Sequence, residues 1–430
     1  MSTRPAWLLC LLLSLGVLSE AQQRPGEDAQ PRETDPYEEL RFKAAVFGPS
    51  DEIFIWWGHA ALIVENTAIG YARIFDWGIF SYPSDSFLKD FALNRVRYKC
   101  AVSSAQWDID NYTKEDRDIV LYTLDLDSSQ KKVILDYAEN NVLPENCWYI
   151  YHQFNDNCST RIRDLIDLGT GGEFKSFFEA RPGRFTLREH MRRFSWYSPF
   201  YDWFLGFLLG RDIDRKVSMW DEMFLPVELG RNITGFSYID ESGNRRALVS
   251  GVEVVNRTKN RRAVLDAPRA QWPRTLAAGL TAAVLAAMII PLRKKRPRAG
   301  RLLRGLSQSL LGLASGGMGT LLFFASRAAE RDYMRHNSNL LFVNPLLLAA
   351  IPLGICAALN KTIVIGGKKV LDAERGLWFM WLYVCAAGFA AGLANLIPRL
   401  RQDNLPTLVL LLPSALVFVL PELNSRRRKP

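Results

Sequence analysis

CWYIYHQFNDNCSTRIRDLIDLG, residues 147–169, reads as three elements in succession. CWYIYHQF has the aromatic and β-branched character of a strand, Asn155-Asp156-Asn157 is a polar turn, and the remainder is an amphipathic helix. Asn157 suits the N-cap, which makes Cys158 the first helical residue. Unpaired backbone N–H groups and the helix dipole favour an anion there, so Cys158 is a candidate thiolate nucleophile. The competing reading is a small residue that merely opens a helix.

Working outward, DEIFIWWGHAALIVEN (51–66) and TAIGYARIFDWGIF (67–80) read as two strands that turn near Asn66-Thr67. A helix is predicted over 129–141, behind polar Asp127-Ser128, with Val133, Ile134 and Tyr137 at helical spacing. ALVSGVEVVNRT (247–258) predicts a strand of a late hairpin that turns at 240–244. Residues 37–272 therefore read as an α+β domain. Within it, the aromatic run SWYSPFYDWFLGFLLG (195–210) reads as a buried helix, with a membrane-surface or groove-lining role as the alternative. Asp221 and Glu222, in DEMFLP, read as packing and capping residues.

A thiol nucleophile needs a base, and this region offers His59, His152 and His190. His59 sits in WWGHAAL, where an unpaired imidazole is costly; it is either a satisfied core histidine or the base. His152, on the strand entering Cys158, either lines the site or is exposed, and His190, in REHMRR, reads as a solvated helix residue. Asp76, in FDWG, either orients the imidazole, as the third member of a thiol triad does, or caps a turn. The region also holds Cys100 and Cys147; if these pair in an oxidising compartment, Cys158 stays a free thiol, and otherwise all three are reduced. No CxxC or His-rich cluster points to a metal, and no cofactor is expected.

The C-terminal third changes character. Apolar stretches at about 276–292, 306–326, 339–358, 377–397 and 405–421 approach the ~20 residues that cross hydrocarbon, which predicts an all-α domain of five membrane helices over 273–423. Gly388 and Gly392, with Gly316, Gly317 and Gly319, favour close helix contact, and the charge-free interiors of the spans argue against a transporter. The loops after spans one and three (Arg293 to Arg304; Lys361 to Arg375) and the basic tail 424–430 all fall on one side of a five-span chain, which makes that side cytoplasmic. These loops more than account for the net charge of +9, so the basic balance is a topology signal and nucleic-acid binding is not expected. At the other end, residues 1–21 read as a cleaved signal peptide, with an uncleaved anchor as the alternative, and 22–36 as a disordered spacer.

GHAALIVE with FDWG, then YIYHQFNDNCSTRIRDLID, then GRDIDRKVSMWDEMFLPVEL (210–229) together resemble the bacterial Lnb N-terminal periplasmic domain, a family largely of unknown function. HNSNLLFVNPLLL (336–348) is similar to the membrane-edge segment of the five-helix region that follows that domain in its relatives. The order of His before a helix-starting Asn-Cys more distantly resembles the circularly permuted NlpC/P60 class of papain-like thiol enzymes. That likeness implies Cys158 as nucleophile, His59 as base and Asp76 as the orienting residue. The resemblance places the chain in a bacterial inner membrane, with its N-terminal domain periplasmic and its C-terminus cytoplasmic.

Two function classes follow. One is a membrane-tethered envelope thiol hydrolase or acyltransferase that acts on an amide or ester, in a peptidoglycan peptide or a lipid. The other is a non-catalytic assembly or maturation factor that binds an exported protein partner. In both, the lipid bilayer is a partner.

Overall fold

The computed structural model describes residues 35–80, 96–240, 242–328, 332–361, 363–365 and 368–427. The expected signal peptide and nearly all of the spacer lie outside the described residues.

Seven strands form one antiparallel sheet: β1 (Leu40–Phe47), β2 (His59–Asn66), β3 (Tyr71–Phe80), β4 (Arg97–Ser104), β5 (Ile119–Leu124), β6 (Trp148–Ile150) and β7 (Val249–Asn256), in the order β7-β5-β1-β2-β3-β4-β6. Phe47 pairs with His59 and Leu62 with Phe75. Strand alternation divides the apolar residues between two faces. Ala61, Ile63, Ile74 and Phe47 pack with Ala105 at the start of α1 (Ala105–Lys114). Ala60, Leu62, Val64 and Phe75 pack on the opposite face under α2 (Ser128–Asn141) and α3 (Cys158–Gly169). The α+β reading thus holds as an α/β region with helices on both faces.

Locally, the caps and the strands 59–66, 71–80 and 249–256 fall where the sequence predicts them, and the strand ends do not. Helix α2 starts behind Asp127, whose side chain accepts the Gln130 N–H, and α3 starts behind Asn157. Residues 51–58 are not strand: Ile53–Ile55 is a 3-10 turn, and Gly58 turns the chain at φ 83°, where a Cβ would meet the Phe47 carbonyl at 2.6 Å. Strands β1, β4 and β5 add to those the sequence predicts, and the 240–244 turn closes a hairpin of Ser237–Ile239 and Arg245–Ala247 ahead of the edge strand β7.

Beyond the sheet, α4 (Leu187–Ser195) and α5 (Pro199–Leu208) lead toward the apolar helices. The aromatic run is only partly buried in α5. Phe207 is 1% exposed and joins the core of the apolar helices, whereas Phe200 is 59% exposed.

Among the described residues, four segments are long and apolar enough to cross a membrane: α6 (Trp272–Lys295), α7 (Pro297–Ala328), the stretch Ser338–Ala358 ending in α8 (Ala350–Ala358), and α9 (Ala373–Ala394). The fifth expected span falls on α10 (Leu405–Arg427), whose apolar part, Leu405–Pro421, is shorter than these four and is not counted with them. Glycine does permit close packing here: a Cβ on Gly388 would stand 2.7 Å from Leu412, and one on Gly319 2.5 Å from the Asn344 Cα.

Candidate active site

All three sequence-predicted residues lie at one end of the sheet, where β2 begins and β3 and β6 finish. His59 opens β2 and points to the α1 face, stacked on Phe47 at 5.9 Å. Asp76 lies on the same face of β3, with its Oδ1 3.1 Å from His59 Nε2. The contact has the distance of an ion pair, but it is too poorly aligned for a directed hydrogen bond. A bulge between Asp76 and Ile79 brings the Gly78 N–H onto the same Oδ1 at 2.5 Å. A Cβ on Gly78 would lie 2.5 Å from His59 Cε1, so the glycine of FDWG is what admits the imidazole.

Cys158 approaches from the other face, at the head of α3. Asn157 builds its turn: Oδ1 accepts the N–H groups of Ser159 and Thr160, each at 2.9 Å, while Nδ2 donates to the carbonyls of Gln153 (2.7 Å) and Phe224 (3.0 Å). The cap therefore occupies two of the amides a helix start could offer an oxyanion, and Cys158 N–H is the first-turn amide it does not take.

Electrostatics links the two faces. Burial disfavours the His59 cation, but the Asp76 carboxylate, followed by the charges of Cys158 and Tyr112, holds His59 well above the ordinary value of 6.5. Burial likewise pushes the Asp76 carboxyl up, and the charge and contact of His59, with the Gly78 N–H, outweigh it and lower Asp76.

Sequence reasoning missed a wall of tyrosines. Tyr98 and Tyr151 stack at 4.1 Å, and Tyr149 lies against both. Burial, and after it the Cys158 charge, raises all three phenols, so they keep their protons near the thiol. Tyr149 donates to the Trp77 carbonyl. The spacing Tyr149-Ile150-Tyr151 was the available signal, since alternate strand residues share a face.

Residues 28–192 match the family model of the Lnb N-terminal periplasmic domain. No curated protein and no solved structure matches the chain. The Lnb-type segment contains His59, Asp76, Cys158 and the tyrosine wall. The helices long and apolar enough to cross a membrane lie beyond the matched residues, an arrangement that suggests a membrane protein with a periplasmic N-terminal domain.

The other histidines have structural partners. His152 is 5% exposed, and its Nδ1 accepts the N–H groups of Phe154 and Asn155, both at 3.1 Å, which shapes the turn ahead of Cys158. His190 is fully buried, contrary to the solvated reading. Its Nε2 meets Glu222 at 3.3 Å and its Nδ1 meets Arg193 at 2.9 Å, a charge cluster that a one-dimensional pattern does not disclose. Glu222 also accepts the Arg184 N–H at 2.7 Å, while Asp221 completes the capping box of Ser218. Cys100 and Cys147 are free thiols, although their backbones bond (Cys100 N to Cys147 O, 2.9 Å). Among the described residues, no group of His, Cys, Asp and Glu is arranged to hold a metal ion.

Proposed function

We propose that this protein is a membrane-tethered envelope thiol acyltransferase or hydrolase working through Cys158, His59 and Asp76. The observation that carries the reading is the buried His59–Asp76 pair, 3.1 Å apart, near the helix start at which the Asn157 cap presents Cys158; burial opposes the His59 cation, and Asp76 first and Cys158 after it raise it. An imidazolium held beside a thiol stabilises the thiolate. Cys158 Sγ forms a bond to an ester or amide carbonyl carbon as the C–O or C–N bond breaks, and His59 gives its proton to the leaving alcohol or amine. Water or an amine then attacks the thioester, restoring the thiolate while its proton returns to His59. The Cys158 N–H and the protonated Tyr98 and Tyr151 are the donors for the oxyanion. The element order, a His strand, an Asp strand and then a Cys helix on an antiparallel sheet, supports the permuted papain-like assignment.

The site's position favours a lipid ester over a peptidoglycan peptide. The loop leading into His59 carries Trp56, which packs on Tyr197 and Tyr201 at 5.0 and 5.6 Å, and α5 continues from there into the core of the apolar helices. Tyr333, between two apolar helices, reaches the turn before Cys158. These contacts support a catalytic end that lies at the bilayer surface. With α10 as a fifth span and residues 1–21 as a signal, the basic loops and the C-terminus are cytoplasmic and this end of the domain is periplasmic.

The test is peptide-resolved alkylation of Cys158 in the detergent-solubilised full chain across pH, beside His59→Ala. The expected result is a pH profile that differs between the two proteins, with alkylation at neutral pH slower by about 10-fold or more in the variant. Identical profiles in the two proteins remove the thiol reading in favour of a binding factor.

A further inference from the structure

The turn that presents Cys158 is braced from two sides. Internally, His152 Nδ1 gathers two backbone N–H groups, and His152 and Asp156 exchange backbone bonds at 2.8 and 3.1 Å. The second brace comes from another part of the chain. Tyr333, in the 3-10 turn Asp332–Met334 between α7 and the next apolar segment, donates its hydroxyl to Asn155 Oδ1 at 3.1 Å. Its ring meets His152 and Phe154 edge-on, at 5.4 and 5.1 Å.

Tyr333 is itself anchored. Its carbonyl accepts the Gly210 N–H at 2.7 Å; three residues on, the His336 carbonyl accepts the Arg211 N–H at 2.9 Å, and His336 Nδ1 meets Asp212 at 2.8 Å. A Cβ on Gly210 would stand 2.6 Å from the His336 carbonyl, so that glycine is what allows the loop to lie this close.

We propose that Tyr333 is a positioning residue for Cys158, through which the loop between the apolar segments sets the reactivity of the thiol. The proposal rests on the reading of Cys158 as the nucleophile. Asn155, the acceptor of the Tyr333 hydroxyl, stands two residues before the N-cap Asn157. A shift of the turn moves Sγ relative to His59 without breaking either the His59–Asp76 pair or the helix cap. Reactivity is steep in such displacements, and about 1 Å is enough to cost on the order of 100-fold.

The experiment compares wild type, Tyr333→Phe, Tyr333→Ala and His59→Ala in the full chain, reading Cys158 alkylation across pH together with amide exchange over 150–160. Tyr333→Ala is expected to slow alkylation about 10-fold or more at acid pH and to move the profile toward that of His59→Ala. It is also expected to speed exchange at Phe154 and Asn155, with unfolding temperature little changed. Tyr333→Phe keeps the ring contacts and is expected to lose only about 2- to 5-fold, the share of the single hydrogen bond. It carries the test should Tyr333→Ala fail to fold. Wild-type profile and exchange in Tyr333→Ala, or in Tyr333→Phe where only that variant folds, overturn the proposal while leaving the thiol reading intact. A wild-type profile indifferent to His59 defeats the thiol reading itself, and the proposal with it.

Discussion

His59 is raised above its ordinary value at a place where burial alone would lower it. Because its folded value is raised, folding binds its proton more tightly, and that stabilisation is complete below about pH 6.5 and lost as pH rises through the folded value. Asp76 is lowered, so its stabilisation is present above its ordinary value of 3.8 and lost as pH falls through the folded one. The pair therefore supports the fold most between these limits. Asp76→Asn removes the largest cause that raises His59 and leaves burial to oppose the cation. The variant is expected to lose about 3–5 kcal/mol in that window, since breaking a buried pair strands the other partner. It is also expected to give Cys158 the alkylation profile of His59→Ala. Tryptophan-monitored thermal unfolding against pH checks the first effect, and a wild-type unfolding curve near pH 6 would sink it.

Helix α3 owes its start to one side chain that does two jobs. A pure N-cap needs only an acceptor, so Asn→Asp at such a position is harmless or helpful. Asn157 also donates to the Gln153 and Phe224 carbonyls, and a carboxylate would face both with repulsion. Asn157→Asp is therefore expected to be as damaging as Asn157→Ala, each by about 2–3 kcal/mol, the sum of a lost cap and unsatisfied carbonyls. Denaturant midpoints for the two variants decide it; a stable Asn157→Asp protein would reduce the residue to a cap. This double role marks how far the sequence could be read. Caps are local, so Asn157 and Asp127 were legible. The strand ends at Gly58 and β6, the burial of His190 against Glu222, and the Tyr98–Tyr151 stack depend on residues distant in the chain. No window of sequence contains them.

At the scale of the molecule, the sheet domain is bound to the loops of the apolar helices by buried amides. Asn337 Nδ2 donates to the carbonyls of Phe207 and Leu208 on α5, at 2.8 and 3.1 Å. Gln402 Nε2 donates to Asn337 Oδ1 at 3.0 Å, and Gln402 Oε1 accepts both the N–H and the hydroxyl of Ser338. Asn395 and Asn404 close the ring, with Asn404 Nδ2 on Ser338 Oγ at 3.0 Å. Ion pairs surround it: Arg188 with Asp214 at 2.6 Å, and Arg192 with Asp403. Gln402 is 1% exposed, so its partners have no water to fall back on. Gln402→Leu is expected to leave the Ser338 N–H and hydroxyl unpaired, at about 1–3 kcal/mol for each stranded donor, and Asn337 Oδ1 with the Asn339 N–H alone. The sheet's own cores do not include these residues. The loss should therefore appear as loosened docking: faster proteolysis between 195 and 214 and around 336 in the detergent-solubilised chain, with the sheet domain still resistant. Because α5 and Tyr333 both support the end of the sheet that holds Cys158, its alkylation should slow in parallel. If the linker segments are cleaved faster while the thiol keeps its wild-type rate, docking and reactivity are separate properties, and the membrane helices serve only to tether the domain.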